Sequence, residues 1–104
     1  MAWTNTLPLT DLLDREATQF EINGRQIMFC RDGDDIYALD NQCPHAGAPL
    51  AMGNFNRSVI TCPWHAWAFD CRTGECVHSP SHRVANYPVE VRDGQVWIDL
   101  PESE

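Results

Sequence analysis

Cys62-Pro63-Trp64-His65-Ala66-Trp67-Ala68-Phe69-Asp70, taken with the earlier Cys43-Pro44-His45-Ala46-Gly47-Ala48-Pro49-Leu50, is the pair of segments whose reading decides the fold. Each offers one thiolate and one imidazole, the first as C-x-H and the second as C-x-x-H, with sixteen residues between His45 and Cys62. Four soft or borderline donors on two short loops describe a metal site. Zinc ribbons and fingers mostly group like with like, as C-x2-C followed by H-x3-5-H, whereas here each loop carries both kinds of donor. That mixed pairing suits a binuclear cluster, with the cysteines of both loops meeting on one iron and the histidines on the other. A structural zinc site is the alternative reading of the same four residues.

Outward from these loops the chain reads as short strands. Ala17-Thr18-Gln19-Phe20-Glu21-Ile22 alternates and runs into Asn23-Gly24, a strong two-residue hairpin signal, with Arg25-Gln26-Ile27-Met28-Phe29-Cys30 as the return strand. Asp32-Gly33-Asp34-Asp35 turns the chain into Ile36-Tyr37-Ala38-Leu39-Asp40, and the first cysteine loop begins directly afterwards. Between the loops, Asn56-Arg57-Ser58-Val59-Ile60-Thr61 reads as a strand that delivers Cys62. Ala66-Trp67-Ala68-Phe69-Asp70 and Cys76-Val77 read as two short strands around a turn at Thr73-Gly74, and the segment from Val77 to Val84 reads as loop. A last hairpin places Val89 and Val91 inward, turns at Asp93-Gly94 and returns through Gln95-Val96-Trp97-Ile98-Asp99-Leu100. Leu7 to Asp14 holds one helical turn capped at Thr10, and the tail 101–104 frays. Short strands, regular turns and almost no helix predict an all-β domain of packed antiparallel sheets.

At 104 residues the chain has the size of one domain, 1–104. No apolar run approaches the roughly 18 residues of a membrane span. The N-terminus lacks the basic region and apolar stretch of a secretory signal, so the expectation is a cytoplasmic protein with no membrane partner. Seven arginines, no lysines and fifteen acids give a formal charge of -8, which disfavours nucleic acid and favours a basic protein partner. Five cysteines is an odd number, and in a reducing compartment such a pattern reads as metal-binding before it reads as a disulfide framework.

The segments from Cys43 to Leu50 and from Cys62 to Asp70 resemble the two cluster-binding loops of the Rieske-type ferredoxins, and the likeness extends over nearly the whole chain. The resemblance implies the Rieske fold, a small antiparallel β-sandwich with two cluster-binding loops at one tip, here spanning approximately 41–80. It also implies one Rieske-type 2Fe-2S cluster, with Cys43 and Cys62 on the buried iron and His45 and His65 on the iron nearer solvent. Two thiolates cancel the charge of the oxidised iron–sulfide core, and neutral imidazoles add none. Reduction then leaves a single negative charge, less than four thiolates would leave, which is why histidine ligation raises the potential.

Within that family, the quinol-oxidising members carry an extra cysteine in each loop and two hydroxyls that bond to the cluster sulfurs. Here Ala48 and Trp64 stand where those cysteines would be, and Trp67 and Phe69 where the hydroxyls would be. Fewer hydrogen bonds to sulfur place the expected potential at the low end of the Rieske range of about -150 to +300 mV. Ala66 departs from the glycine usual at its position. Pro80 falls where the family has a proline-containing loop packed over the cluster.

The other candidates are less specific. Cys30, in an apolar strand, reads as a small core residue. A turn at Thr73-Gly74 would set Cys71 opposite Cys76, where either a disulfide or two thiols fits, thiols being favoured in a reducing compartment. His78 and His82 read as solvated side chains, and Trp3 and Trp97 as packing residues.

The resemblance implies an electron carrier and not an enzyme: a ferredoxin passing single electrons from a flavin-containing NAD(P)H reductase to a terminal oxygenase, as in the dioxygenase systems. Docking would use the tip around His45, Trp64 and His65. A different class of reading is the small Rieske subunit of an NAD(P)H nitrite reductase, bound to that enzyme's large subunit. A zinc-stabilised interaction module and a redox sensor built on Cys71 and Cys76 complete the alternatives.

Overall fold

A computed structural model describes residues 2–22, 24–43, 49–63, 67–77 and 82–100. Their strands are β1 (Ala2–Pro8), β2 (Glu16–Ile22), β3 (Arg25–Asp32), β4 (Asp35–Asp40), β5 (Asn54–Asn56), β6 (Val59–Thr61), β7 (Ala68–Asp70), β8 (Asn86–Tyr87), β9 (Val89–Arg92) and β10 (Gln95–Leu100), with single 3-10 turns at Leu9–Asp11 and Leu50–Met52. Every pairing is antiparallel, in three sheets ordered β1-β10-β9, β2-β3-β4-β8 and β5-β6-β7.

The middle sheet is the organiser because β3 is buried on both faces. Its apolar run Ile27-Met28-Phe29-Cys30 alternates by strand geometry, so Ile27 and Phe29 face one way and Met28 and Cys30 the other. Ile27 and Phe29 join Leu7, Val96, Ile98 and Leu100 from the terminal sheet. Met28 and Cys30 join Ile60 and Phe69 from the third sheet. Full burial of side chains of this size contributes roughly 1.5–3 kcal/mol each. Phe20 packs edge-on against Phe29, with ring centroids 6.1 Å apart, and strengthens the first of the two cores.

The expected hairpins form in register. Ile22 pairs with Arg25 around Gly24, Asp32 with Asp35, and Arg92 with Gln95. Asp93 and Gly94 both take positive φ, 51° and 75°, as a two-residue turn joining right-twisted strands requires.

Four sequence expectations are corrected. The residues before Leu9 form β1, paired along β10, and the helical turn is a 3-10 turn that begins after Pro8 and has no side-chain cap, so Thr10 lies inside it. Asn56 to Thr61 is not one strand but the hairpin β5–β6, turned at Arg57 and Ser58 with φ of 52° and 67°. Neither residue is a usual turn-former at positive φ, which is why the turn is silent in the sequence. Cys76 makes only an isolated bridge to Phe69, and the loop after it returns as β8, a two-residue strand on β4. Val91 is exposed, because β9 is the edge of its sheet, while Val89 is half-buried.

β8 is held by more than its short ladder. The Tyr87 hydroxyl donates to Asp40 Oδ1 at 2.5 Å, tying the returning chain to the end of β4. Burial, then this bond, pushes the Tyr87 phenol up to about 12. An unfolded tyrosine titrates near 10, so the phenol's contribution is fully present below about pH 10 and is lost as pH rises to about 12. Thermal unfolding midpoints should therefore fall across this window in the native protein. Tyr87→Phe should be less stable by about 1 kcal/mol at pH 8 and lack that component of the alkaline loss. Equal alkaline losses in both proteins would contradict the assignment.

Candidate metal centre

The third sheet lies at the roots of two loops. β6 ends at Thr61 and hands the chain to Cys62, whose N–H donates to Trp67 O at 2.8 Å and so pinches the second loop closed at its root. The first loop leaves β4 at Asp40, carries Cys43, and ends in the 3-10 turn Leu50–Met52 and Gly53. A Cβ on Gly53 would lie 1.9 Å from Thr61 O, so the exit of one loop lies against the backbone that enters the other. Only glycine permits that approach.

Cys43 and Cys62 are 1% and 4% exposed, and both belong to the core with Leu50, Ile60 and Phe69. Two thiols in a dry apolar wall fit the buried half of an iron–sulfur site, where thiolate charge is neutralised by metal and water is excluded. His45 and His65 lie outside the described residues, as do Ala48, Trp64, Ala66, His78 and Pro80. Among the described residues no three His, Cys, Asp or Glu side chains gather as a metal site.

At the two positions where the resemblance places hydroxyls, Phe69 is fully buried and Trp67 half-buried, their ring centroids 6.4 Å apart. Trp67 also packs its ring against His82, with centroids 4.9 Å apart. His82 is exposed, as expected, and rests its ring on Trp67. The two residues are 15 positions apart (82 − 67), a separation that leaves no periodic signal. Trp3 and Trp97 pack at the surface: the Arg92 guanidinium lies 5.2 and 5.1 Å from their ring centroids, a cation–π stack.

The remaining cysteines rearrange the expected thiol pairing. Asp70 N–H donates to Glu75 O and Cys76 bridges to Phe69, so Cys71 lies in the turn and does not oppose Cys76. Instead Cys71 Sγ and Cys30 Sγ share a hydrogen bond at 3.7 Å, and none of Cys30, Cys71 and Cys76 is disulfide-bonded. The hydrogen bond with Cys71, and then burial, push the Cys30 thiol far above its usual range, so it stays protonated and unreactive. At the end of β7, Arg72 holds the Asp70 carboxyl below its ordinary value through a hydrogen-bonded pair at 3.0 Å, an exposed contact of small energetic weight.

Two buried cysteines at the roots of two adjoining loops, on a small all-β scaffold, suit an iron–sulfur protein. The family described as Rieske [2Fe-2S] domain matches residues 2–88, and the chain belongs to that family. It is similar to the ferredoxin component of the naphthalene 1,2-dioxygenase system of Pseudomonas putida, 30% identical over 99 residues that cover 94% of this chain and 95% of that protein. Its structure is similar to the ferredoxin of carbazole 1,9a-dioxygenase from Nocardioides aromaticivorans IC177, with 34% identity, a TM-score of 0.86, and 94% and 97% of the two chains covered. A complex of reduced oxygenase and oxidised ferredoxin in carbazole 1,9a-dioxygenase matches at 30% identity and a TM-score of 0.84, covering 92% of this chain and 91% of that one. Nitrite reductase small subunits, at 20% and 23% identity, share the fold alone. The chain is thus an electron carrier of the ferredoxin type with a Rieske-type 2Fe-2S cluster.

Alkylation of the native protein should leave Cys30 and Cys71 unmodified, and alkylation after denaturation without reductant should label both. Mass spectrometry distinguishes the cases. Rapid native labelling, or a disulfide-linked peptide containing either residue, would overturn the buried-thiol assignment.

Proposed function

We propose that Cys43, His45, Cys62 and His65 hold the 2Fe-2S cluster of a single Rieske domain, 1–104, that accepts single electrons from a flavin-containing NAD(P)H reductase and delivers them to a terminal oxygenase in the cytoplasm. The observation that carries this is the near end-to-end match, over 94% of this chain and 95% of a relative that is itself the ferredoxin component of a dioxygenase system. In this reading the substrate chemistry belongs to the partner, and the chain is a carrier and not an enzyme. When bound, the cluster supplies a one-electron couple whose reduced form carries one additional negative charge. The chain's own part is to keep one side of the site dry with Leu50, Ile60 and Phe69 and to carry His45 and His65 two and three residues beyond the buried cysteines.

The scaffold gives the potential a direction. Phe69 supplies no hydroxyl in the buried wall shared with Cys43 and Cys62, which leaves the reduced state with less hydrogen bonding. A redox titration followed by visible absorption and electron paramagnetic resonance should give one single-electron wave near the low Rieske limit of about -150 mV. A positive midpoint would overturn the oxygenase reading in favour of quinol chemistry, and a colourless, iron-free protein would overturn the ligand assignment in favour of zinc.

Phe69→Tyr provides a second test. A hydrogen bond to a charged group is worth about 1.5 kcal/mol at the low end, equivalent to about 65 mV for one electron. Only the part of that bond gained on reduction moves the midpoint, so the variant should raise it by some tens of millivolts. An unchanged or lowered midpoint would show that the ring edge of residue 69 does not reach the cluster.

A further inference from the structure

Asn41 is one of two polar residues buried among the described residues, at 6% exposure, and it stands two positions before Cys43. Its side chain spans two elements that are distant in sequence. Oδ1 accepts from the Ala51 N–H at 2.7 Å, and Nδ2 donates to Gln19 Oε1 on β2 at 3.0 Å. The orientation of the amide is dictated by chemistry, because a backbone N–H can only donate and so must face the carbonyl oxygen. The Asn41 backbone N–H, in turn, donates to Gln26 O on β3 at 2.9 Å.

Asn41 and Ala51 are the two ends of the first ligand loop. The bond between them closes a ten-residue span that contains Cys43 and His45. The second loop closes its own root with a backbone bond, Cys62 N–H to Trp67 O. The first has a side chain in the equivalent place, which also moors the loop to β2 through Gln19. A buried amide with both of its polar atoms engaged holds one geometry, since releasing either leaves an unsatisfied group in the core.

We infer that Asn41 is the positioning residue of the first ligand loop, fixing the direction in which Cys43 and His45 approach the cluster and so its retention and electronic structure. The inference rests on the assignment of those two residues as ligands. An amide that only stabilised the fold would change the unfolding temperature and leave the loaded site unaltered. A positioning amide alters the site itself.

The test compares cluster-loaded native protein with Asn41→Leu, which removes both bonds at similar volume, and Asn41→Asp, which keeps an acceptor for the Ala51 N–H. Two readouts are taken: the half-life of the visible absorbance in the presence of a ferrous chelator, and the electron paramagnetic resonance g values of the reduced state. Asn41→Leu should lose its cluster about tenfold faster or more and show shifted g values. Asn41→Asp should restore the half-life to within about twofold, because the bond that closes the loop survives. Where Asn41→Leu does not fold, Asn41→Ala is read in the same way. A leucine or alanine variant with native half-life and g values overturns the inference, as does an aspartate variant as impaired as the leucine one. Native protein that binds no iron overturns the ligand assignment and this inference together, whereas loaded native protein with an indifferent variant overturns this inference alone.

Discussion

The burial of β3 on both faces is the constraint on which the rest of the molecule depends. A strand with one wet face reads as alternating polar and apolar residues, but Ile27-Met28-Phe29-Cys30 is apolar throughout and each of the four is inaccessible to solvent. Each face therefore needs its own cover. The terminal sheet, made from the first and last strands, covers Ile27 and Phe29. The third sheet, contributed by the chain between β4 and β8, covers Met28 and Cys30. One strand thus joins the element that holds the ends of the chain to the element that carries the site.

The second of those covers is unusual in composition. All five cysteines of the chain fall in the core between β3 and the third sheet, together with Phe69 and Val84. Cys43 and Cys62 enter it from the two loops, while Cys30 and Cys71 fill it as a hydrogen-bonded thiol pair. Small polarizable side chains pack close to a loop root without demanding the volume of leucine. Protonation of Cys30 keeps its part of that filling neutral.

Much of this architecture was legible in the sequence, and the unread parts share a physical cause. Hairpins announced by Asp93-Gly94 and Asp32-Gly33 form with the register that their turn chemistry dictates, because the signal and the structure are both local. The proposed ligand residues stand out for a similar reason, since each cysteine–histidine spacing is local in the sequence. By contrast β1 is a strand only because β10 lies beside it, and β8 only because Tyr87 finds Asp40 on β4. The Arg57-Ser58 turn adopts positive φ in residues that do not prefer it, under the constraint of a three-residue ladder on each side. The pairing of Cys71 with Cys30 spans 41 residues and follows from sheet stacking, which local spacing does not encode. Asn41 was missed because a lone asparagine ahead of a cysteine reads as a turn residue until its two partners are seen.

The low potential expected of this chain has two sources of the same sign, and their sizes differ. A formal charge of -8 opposes adding an electron, but charges farther away than a Debye length of about 8 Å are largely screened at physiological salt. The acids flanking the two loops are engaged locally as well: Asp40 accepts from Tyr87, and Asp70 is paired with Arg72. Diffuse charge of this kind steers encounter more than it sets an equilibrium. A hydroxyl donor at the buried position of Phe69 would act in a dry wall, where a single hydrogen bond to charge is worth about 1.5 kcal/mol or more. On the proposed reading, the apolar wall of the site outweighs the acidity of the surface as a local control on the electron, and the surface charge acts on encounter with a partner.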